Sequence, residues 1–261
     1  MPAYGKILQE QVDIDRGVAP RMDAVLEVRG LVKHYGELEA VKGIDFTVSA
    51  GEIFGLIGPN GAGKTTTLRI VATILKPSEG SVTVGGLDVV TQADEVREHI
   101  SYLPEEAGAY KQMRGSDYLR FMAEIFYSDK KRQNEAMKTA EAVADLGDRL
   151  KDKVGTYSKG MTRKLLLARS IMTRPTLAIL DEPTSGLDVL NAMDIRTTVR
   201  SFAAEGMGVL LSSHNMLEIE FLSDRVGIIH QGRIHEVGTP AELKEKYHAA
   251  SLENVFAEVA R

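Results

Sequence analysis

The chain has 261 residues, of which 43% are hydrophobic and 6% aromatic, enough for one large α/β domain with a well-buried sheet. It contains no cysteine, which excludes disulfides and cysteine-ligated metal sites. Its 32 basic and 37 acidic residues give a net charge of -5, which argues against a nucleic-acid backbone as the main partner, although a local basic patch is compatible with it.

The first 23 residues are interpreted as an N-terminal tail, with an upstream start that is not used as the alternative, because residues 1–21 show no clear periodicity and the first strand-like stretch follows Met22. The opening residues carry Lys, Glu, Gln and Asp where a secretory signal needs an apolar run of about 7 to 15 residues. No stretch approaches the roughly 20 apolar residues of a membrane-spanning helix. We therefore expect a chain that is soluble by itself.

Two alternating runs, Val25 to Val32 and Ile44 to Val48, predict antiparallel strands on either side of the turn-like segment HYGELEA. The next segment, EIFGLIG, is a short apolar run typical of a strand in a sheet that is covered on both faces. It leads into GPNGAGKTT at residues 58–66 and a predicted helix over residues 64–75. This order of strand, glycine-rich loop and helix is the context that the P-loop pattern requires.

The glycine-rich loop is predicted to bind phosphate groups. Gly58, Gly61 and Gly63 let the backbone turn its N–H groups toward one point, where the helix N-terminus adds its positive end. Lys64 is expected to reach the β and γ phosphates, and the Thr65 hydroxyl to bind Mg²⁺. The predicted nucleotide-binding segment is Gly58, Pro59, Asn60, Gly61, Ala62, Gly63, Lys64, Thr65 and Thr66.

An all-helical subdomain, about residues 103–160, is predicted to interrupt the alternation of strands and helices. Its second helical pattern, NEAMKTAEAVADLG, is expected to end at Gly147. The segment YSKGMTRKLLLAR at residues 157–169 then predicts a helix capped by Ser158, although such a helix needs neither the Lys nor the Gly beside the cap. The first pattern, SDYLRFMAEIFY, places these side chains on one helical face: Tyr118, Leu119, Met122, Ile125 and Phe126.

The segment LAILDE, residues 177–182, is an apolar strand with two acidic residues at its C-terminal end. Open α/β sheets bind ligands at that edge, so both acids are predicted to lie beside the phosphate loop. Asp181 is expected to hold Mg²⁺, directly or through water, and Glu182 to polarise the attacking water, a contribution of about 10²- to 10⁴-fold. His214 follows the apolar run GVLLSS and is predicted to sense the γ-phosphate. Each motif alone also fits a simpler reading: a glycine-rich turn, a solvated helix cap or a surface histidine.

The remaining segments complete an α/β fold. A helical period predicts a helix over residues 191–204, and RVGIIHQGRIHEVG predicts a hairpin that turns near Gln231 and Gly232. The predicted fold is a P-loop NTPase core with a mostly parallel sheet, an N-terminal antiparallel β subdomain and the inserted α-helical subdomain. This domain is expected to span residues 24–240, with a C-terminal helical tail over residues 241–261.

The motifs GPNGAGKTT, YSKGM, LAILDEP, SGLD and SSH occur in the order and spacing of the nucleotide-binding subunit of an ABC transporter, which the chain resembles over roughly residues 24–240. It is most similar to the stand-alone, export-type (ABC-2-like) subunits, on the basis of YLPEEAGAY and LENVFAEV. The resemblance implies an ATPase that dimerises around two Mg-ATP and drives a separate transmembrane permease, with export as the expected direction. It also implies a cytoplasmic location on the inner face of the cell membrane.

The resemblance assigns roles to further residues. In this family the signature segment of one subunit caps the γ-phosphate of the ATP held by the other, and glycine at the cap would let that phosphate come close. The expected partner is a second, identical subunit, reached by Ser158, Lys159, Gly160 and Met161. Tyr35 is similar to the aromatic residue that stacks on adenine, with packing on a hairpin as the alternative. Asp188 of SGLD is expected at the dimer seam.

The sequence departs from the family pattern at two positions that bear on turnover. The family signature usually ends in Gln, where this chain has Met161. Glu105, after the strand ISYL, stands where the family usually has Gln, and its carboxylate is expected to face Mg²⁺ or water. The trans geometry implied by the resemblance is intact, but the timing of hydrolysis and the coupling to the permease are left open.

Two alternative functions also fit parts of the sequence. The first is a soluble ABC-type ATPase that acts on nucleic acid or ribosomes; the single cassette, the acidic balance and the lack of a heptad run argue against it. The second is an ATP-gated module that does not hydrolyse ATP, which would need neither Glu182 nor His214. No nucleic-acid partner is expected, and ATP and Mg²⁺ are the predicted ligands. The transported substance is not predicted, because in this family the permease selects it.

Overall fold

Two β-sheets with surrounding helices make up residues 24–259, the part of the chain that the computed structural model describes. The predicted N-terminal tail, residues 1–23, lies outside it. The strands are β1 (Ala24–Tyr35), β2 (Leu38–Ser49), β3 (Ile53–Ile57), β4 (Glu79–Val84), β5 (Leu87–Asp88), β6 (Ile100–Leu103), β7 (Leu177–Asp181), β8 (Gly208–Ser213), β9 (Arg225–His230) and β10 (Arg233–Gly238). The α-helices are α1 (Lys64–Val71), α2 (Ala93–His99), α3 (Gly115–Phe126), α4 (Lys130–Ala144), α5 (Lys159–Ile171), α6 (Val189–Ala204), α7 (Met216–Leu222), α8 (Pro240–Lys246) and α9 (Leu252–Val259).

The smaller sheet is antiparallel, with strand order β2-β1-β4-β5. The predicted pairing of its first two strands is confirmed, but both strands are longer than predicted. They continue to Tyr35 and from Leu38, so the turn consists of Gly36 and Glu37 and not of the whole HYGELEA segment. Gly36 has a φ of 59°, the left-handed conformation that such a two-residue hairpin turn requires.

The larger sheet has the order β10-β9-β3-β8-β7-β6, and all its pairings are parallel except that of β9 with β10. Every residue of β3, β7 and β8 is buried, as their continuous apolar sequences predict. Because β8 lies between β3 and β7, the carboxyl ends of these three strands meet at one edge. The phosphate loop, the acid pair and His214 therefore converge there.

Alternate side chains of the parallel sheet enter two separate hydrophobic cores. Ile53 and Ile57 of β3 face a core shared with α3, α4, α5 and α6, whereas Phe54 and Leu56 face the antiparallel sheet and α1. The period-2 geometry of a strand produces this division. The parallel sheet is thus covered by a hydrophobic core on each face. This packing holds in place the carboxyl ends of its strands, where the predicted site lies.

The helical segment between β6 and β7 is present as predicted, but two of its helices, and α1 of the core, differ locally from the prediction. The second helix ends at Ala144 and not at Gly147, because Asp145 adopts a left-handed conformation with a φ of 45°. Helix α1 ends at Val71 and not at residue 75, shortly before Thr73 with its φ of 61°. On α3, Tyr118 and Leu119 are buried, but Ile125 and Phe126, expected on the same face, are exposed.

In the described range, no helix is both long and apolar enough to cross a membrane.

The predicted hairpin near Gln231 and Gly232 is confirmed, with φ values of 48° and 82° at its turn. The predicted C-terminal tail, residues 241–261, contains α9 and all of α8 except Pro240, and its last two residues lie outside the described range. Thr239 caps α8 in a capping box with Glu242.

Candidate functional site

The glycine-rich loop connects β3 to α1 as predicted, and its glycines are required for two different reasons. Gly61 and Gly63 have φ values of 79° and 106°, which other residues rarely adopt. A Cβ atom on Gly63 would also lie 2.7 Å from the Ala40 carbonyl oxygen of β2. Gly58 has no positive φ, but a Cβ atom there would overlap the Ile229 carbonyl oxygen of β9. The close approach of the neighbouring strand therefore requires this glycine.

Lys64 lies at the N-terminus of α1 with only 6% of its surface exposed. Its Nζ donates hydrogen bonds to the carbonyl oxygens of Gly58, at 2.6 Å, and Pro59, at 3.1 Å. Burial lowers the pKa of Lys64, and the nearby carboxylates of Glu182, Asp181 and Glu105 oppose that effect. The loop thus holds the ammonium group beside the acidic residues of the site.

Asp181, at the end of β7, lies next to the hydroxyl of Thr65. The distance from Thr65 Oγ1 to Asp181 Oδ1 is 3.4 Å, and Ser212 Oγ donates to the same oxygen at 2.5 Å. The parallel register that places Ser212 opposite Asp181 explains this contact. Within residues 24–259 no group of three His, Asp or Glu side chains is arranged to hold a metal. The hydroxyl and carboxylate oxygens of Thr65 and Asp181 do fit a Mg²⁺ ion that takes its other ligands from phosphate and water.

Glu182 and His214, predicted from two separate motifs, are in direct contact. The Oε1 atom of Glu182 lies 2.7 Å from His214 Nδ1 and accepts a hydrogen bond of 2.8 Å from the His214 backbone N–H. Its Oε2 atom accepts a bond of 3.2 Å from Ser213 Oγ. Glu182 is 5% exposed and has a φ of 47°, a left-handed conformation that is strained for a residue with a Cβ atom.

Tyr35 lies at the end of β1, with 45% of its surface exposed and Lys33 Nζ 5.4 Å from its ring centre. It lines the same cleft as the phosphate loop, Glu105 and Glu182. The fold therefore brings the predicted adenine-stacking residue, the phosphate-binding segment and the predicted base to one concave surface. The stacking role itself stays a prediction.

Ser158 caps α5 as predicted, because its Oγ accepts a hydrogen bond of 3.2 Å from the Met161 backbone N–H. Gly160 packs against α6, where a Cβ atom would lie 2.5 to 2.7 Å from the side-chain atoms of Asn191. The ammonium group of Lys159 likewise occupies the space that a Cβ atom on Gly186 would take. Packing within the chain thus already favours glycine at 160, because a larger residue would have to displace the Asn191 side chain.

Asp188 begins α6 and caps it. Its carboxylate accepts hydrogen bonds from the Asn191 backbone N–H, at 3.0 Å, and side-chain amide, at 2.5 Å. These bonds lower the pKa of Asp188. The same carboxylate therefore orders both the start of α6 and the Asn191 side chain that covers Gly160.

Glu105 follows β6 and lines the nucleotide cleft, but it makes no close contact with Asp181 among the hydrogen bonds of residues 24–259. Its carboxylate accepts a long bond, 3.5 Å, from Ser185 Oγ. Its backbone carbonyl accepts from Arg163 of α5. The expected role as a metal ligand stays a prediction, and the Ser185 contact is the structural feature that the sequence did not indicate.

Three residues of the site were missed by the sequence reasoning: Ser212, Ser213 and Arg163. The two serines belong to the run GVLLSS and to the SSH motif, but neither of them was given a role of its own from the sequence. Arg163 stands three residues before Leu166 and four before Leu167, on a face of α5 where the helical period predicts an apolar residue. A charged residue at such a position was the available signal, since buried arginines occur where their N–H groups are all bonded.

The fold and this site define a P-loop ATPase whose phosphate loop, acid pair and histidine lie on adjacent parallel strands. Residues 41–185 match the family described as ABC transporter, and the chain belongs to that family. As a member it binds and hydrolyses ATP, and such ATP-binding subunits in general dimerise and pair with a transmembrane component.

Two curated relatives have names that state drug resistance. The chain is 37% identical to the linearmycin resistance ATP-binding protein LnrL of Bacillus subtilis, over 84% of this chain and 70% of that protein. It is 35% identical to the daunorubicin resistance ATP-binding protein DrrA3 of Streptomyces coeruleorubidus, over 92% of this chain and 76% of that one.

Solved structures confirm the fold class. An ATP-binding subunit of an ABC transporter superposes with a TM-score of 0.81 at 28% identity, covering 90% of this chain and 99% of that one. A dimeric bacterial ABC transporter cassette superposes with a TM-score of 0.72 at 22% identity, covering 82% of this chain and 98% of that one. At this lower identity the second comparison shows the shared fold alone.

Proposed function

We propose that this chain is the ATPase subunit of an export system, in which two copies close around two Mg-ATP molecules and drive a separate permease. The observation that carries the proposal is the Glu182 carboxylate, which Ser213 and His214 hold in the cleft lined by the phosphate loop. The names of LnrL and DrrA3, and that of a fluoroquinolone export protein of Mycobacterium tuberculosis that is 38% identical, support export as the direction.

In this proposal Glu182 is the general base of hydrolysis. Its carboxylate takes a proton from the water that attacks the γ-phosphate, while Lys64 and the N-terminus of α1 stabilise the negative charge of the phosphates. The contact with His214 keeps the carboxylate turned toward the carboxyl ends of β7 and β8. Thr65 and Asp181 would hold Mg²⁺, which would supply positive charge beside the phosphate oxygens.

The proposal also assigns the signature residues a contact with the second copy of the chain. Ser158, Lys159 and Gly160 lie at the N-terminus of α5, and Ser158 and Lys159 are at least partly exposed. A helix N-terminus with a hydroxyl and an ammonium group is suited to bind a phosphate. We assign that phosphate to the ATP of the second copy. Asp188 then lies at the seam between the copies, and Tyr35 stacks on the adenine of its own ATP.

The permease is proposed to contact the segment between β6 and the middle of α3. Tyr110 and Phe121 pack edge to face there and are both exposed, and Ile125 and Phe126 at the C-terminal end of α3 extend this exposed apolar surface. Exposed aromatic side chains of this kind favour a protein partner. Binding to a permease would place the chain at the cytoplasmic face of the cell membrane.

The test is sedimentation of the Glu182→Gln protein with and without Mg-ATP. The substitution removes the base and leaves the phosphate loop unchanged, so an ATP-dependent dimer should accumulate while phosphate release stops. Adding Ser158→Arg should abolish that dimer, because the long side chain blocks the phosphate of the other copy. Glu135→Gln, the same chemical change on an exposed position of α4, should behave as the wild type.

A protein that stays monomeric at saturating ATP would contradict the homodimer. Steady phosphate release by the Glu182→Gln protein would contradict the assignment of the base.

A further inference from the structure

Arg163, a buried residue of α5, joins the two backbone segments that carry the acidic residues of the site. Its side chain is 8% exposed, and it donates to carbonyl oxygens only. The Nε donates to Pro183 at 2.8 Å, the Nη2 to Asp181 at 2.9 Å and Glu182 at 2.8 Å, and the Nη1 to Pro104 and Glu105, each at 3.1 Å.

These five bonds account for the complete donor set of a guanidinium group, which has five N–H groups in one plane. A lysine has three donors on a single atom and could not reach both segments. Burial lowers the pKa of Arg163, and the nearby carboxylates of Asp181, Glu105 and Glu182 oppose that shift. The residue is therefore a cation that is held by backbone dipoles and surrounded by the acids of the site.

Three of the five bonds fall on the strained turn that orients the predicted base. Glu182 has a φ of 47°, and Arg163 binds the carbonyl on each side of that residue as well as its own. Strained conformations persist only where the surroundings hold them. The backbone bond from Glu182 N–H to Ser212, at 3.1 Å, fixes the other side of the turn.

The location of Arg163 in the chain connects this turn to the signature. It lies five residues after Ser158, in the same helix, so a movement of the N-terminus of α5 displaces the guanidinium as well. Pro104 and Glu105 belong to the segment that leaves β6 toward α3. One side chain of the signature helix α5 thus bonds the backbone of Glu182, the predicted base, and the segment that leads from β6 into α3.

We propose that Arg163 is a positioning residue that fixes the orientation of Glu182 and transmits the contact between Ser158 and the ATP of the second copy to it. The proposal rests on the proposed function, in which Ser158 binds that ATP and Glu182 is the base. Arg163 itself touches neither nucleotide nor water in this scheme. It acts through the backbone of residues 181–183.

The first experiment is hydrogen exchange of the full chain, with and without Mg-ATP, for wild type, Arg163→Gln, Arg163→Lys and the control Lys164→Gln. Lys164 is the adjacent residue and pairs with Asp194 at 2.6 Å, away from the turn. In Arg163→Gln, the amides of Glu182 and of residues 184–187 should exchange about tenfold faster, because the turn loses three hydrogen bonds. Those of the phosphate loop should be unchanged, and ATP should no longer protect residues 182–187. Lys164→Gln should match the wild type.

The second experiment is the kinetics of ATP hydrolysis. Arg163→Gln should lower kcat on the order of 10²-fold, the effect expected of a displaced catalytic group, while the dissociation constant of Mg-ATP stays within about threefold. Arg163→Lys should recover part of kcat, because it keeps the charge and some of the bonds. In the Glu182→Gln background the Arg163→Gln change should have no further effect, since both act on one group.

Unchanged exchange at residues 182–187, or an unchanged kcat, would overturn the proposal. So would a loss of nucleotide binding and of the thermal transition in parallel with kcat, because that result would assign Arg163 a purely structural role. Hydrolysis that continues in Glu182→Gln would reject the proposed base, and the exchange data would still decide whether Arg163 holds the turn.

Discussion

At the scale of single residues, Glu218 of α7 is a carboxyl group in an unusual environment. It lies outside the hydrolysis machinery proposed above. It is 6% exposed, and its Oε1 has no hydrogen-bond partner within residues 24–259. Burial raises the pKa of Glu218, although Thr184 and Arg196 act in the opposite direction. A carboxylate in this position is destabilising when it is charged.

Glu218→Gln is expected to stabilise the protein at neutral pH. A carboxyl whose pKa is higher in the folded state than the unfolded value of 4.5 contributes stability below that value and loses it as the pH rises through the folded value. The gain from the neutral glutamine should therefore be largest at pH 7 to 8 and should shrink as the pH falls toward 4.5. Thermal melting of both proteins across this range is the measurement. A gain that is independent of pH would contradict the explanation.

At the scale of elements, helix–helix packing explains a glycine that the sequence could only connect with a ligand. The N-terminus of α5 rests on the first turn of α6 through Gly160 and Asn191. Asp188 fixes Asn191 by two hydrogen bonds. The signature and the SGLD segment are therefore one packed unit within a single chain, before any second copy binds.

Gly160→Ala is expected to destabilise the isolated chain by about 1 to 3 kcal/mol, the usual cost of overpacking, because the new methyl group overlaps Asn191. Chemical denaturation without nucleotide measures this effect. Adding Asn191→Ala to the Gly160→Ala protein should recover most of the lost stability, since it removes the overlapping atoms. If the glycine served only a phosphate from the second copy, Gly160→Ala would leave the stability of the nucleotide-free chain unchanged.

At the scale of the whole molecule, the helices α3 and α4 share a hydrophobic core with the parallel sheet, and a few polar and chain connections also join the two parts. Arg163, the segment after β6 and the start of α5 link the two parts. We propose that ATP binding rotates α3 and α4 relative to the sheet, because α5 carries the residues assigned to contact the second copy.

The absence of cysteine in the sequence makes this rotation measurable, since introduced cysteines are the only ones to react. Spin labels on Glu135→Cys of α4 and Glu79→Cys of β4 should change their separation by a few ångströms when Mg-ATP is added. The change should persist in the Glu182→Gln protein and be absent after Ser158→Arg. A separation that does not respond to ATP in any of these proteins would contradict the rotation.

Local patterns in the sequence were sufficient for the strand, loop and helix order around residues 58–66, for the buried strands β3, β7 and β8, and for the capping of α5 by Ser158. These features depend on period, composition and turn chemistry within a few residues, and each is set by the free energy of burying apolar side chains or satisfying backbone groups. The family followed from the order of the motifs.

Only the tertiary structure decided which groups touch. The contact of Glu182 with His214, the support of Asp181 by Ser212 and the five bonds of Arg163 join residues that are 18 to 59 positions apart in the chain. Such contacts depend on strand order, register and the direction of each side chain, which no local pattern encodes. The exposure of Ile125 and Phe126 and the intrachain need for Gly160 have the same origin, because burial is determined by what the rest of the fold places against a surface.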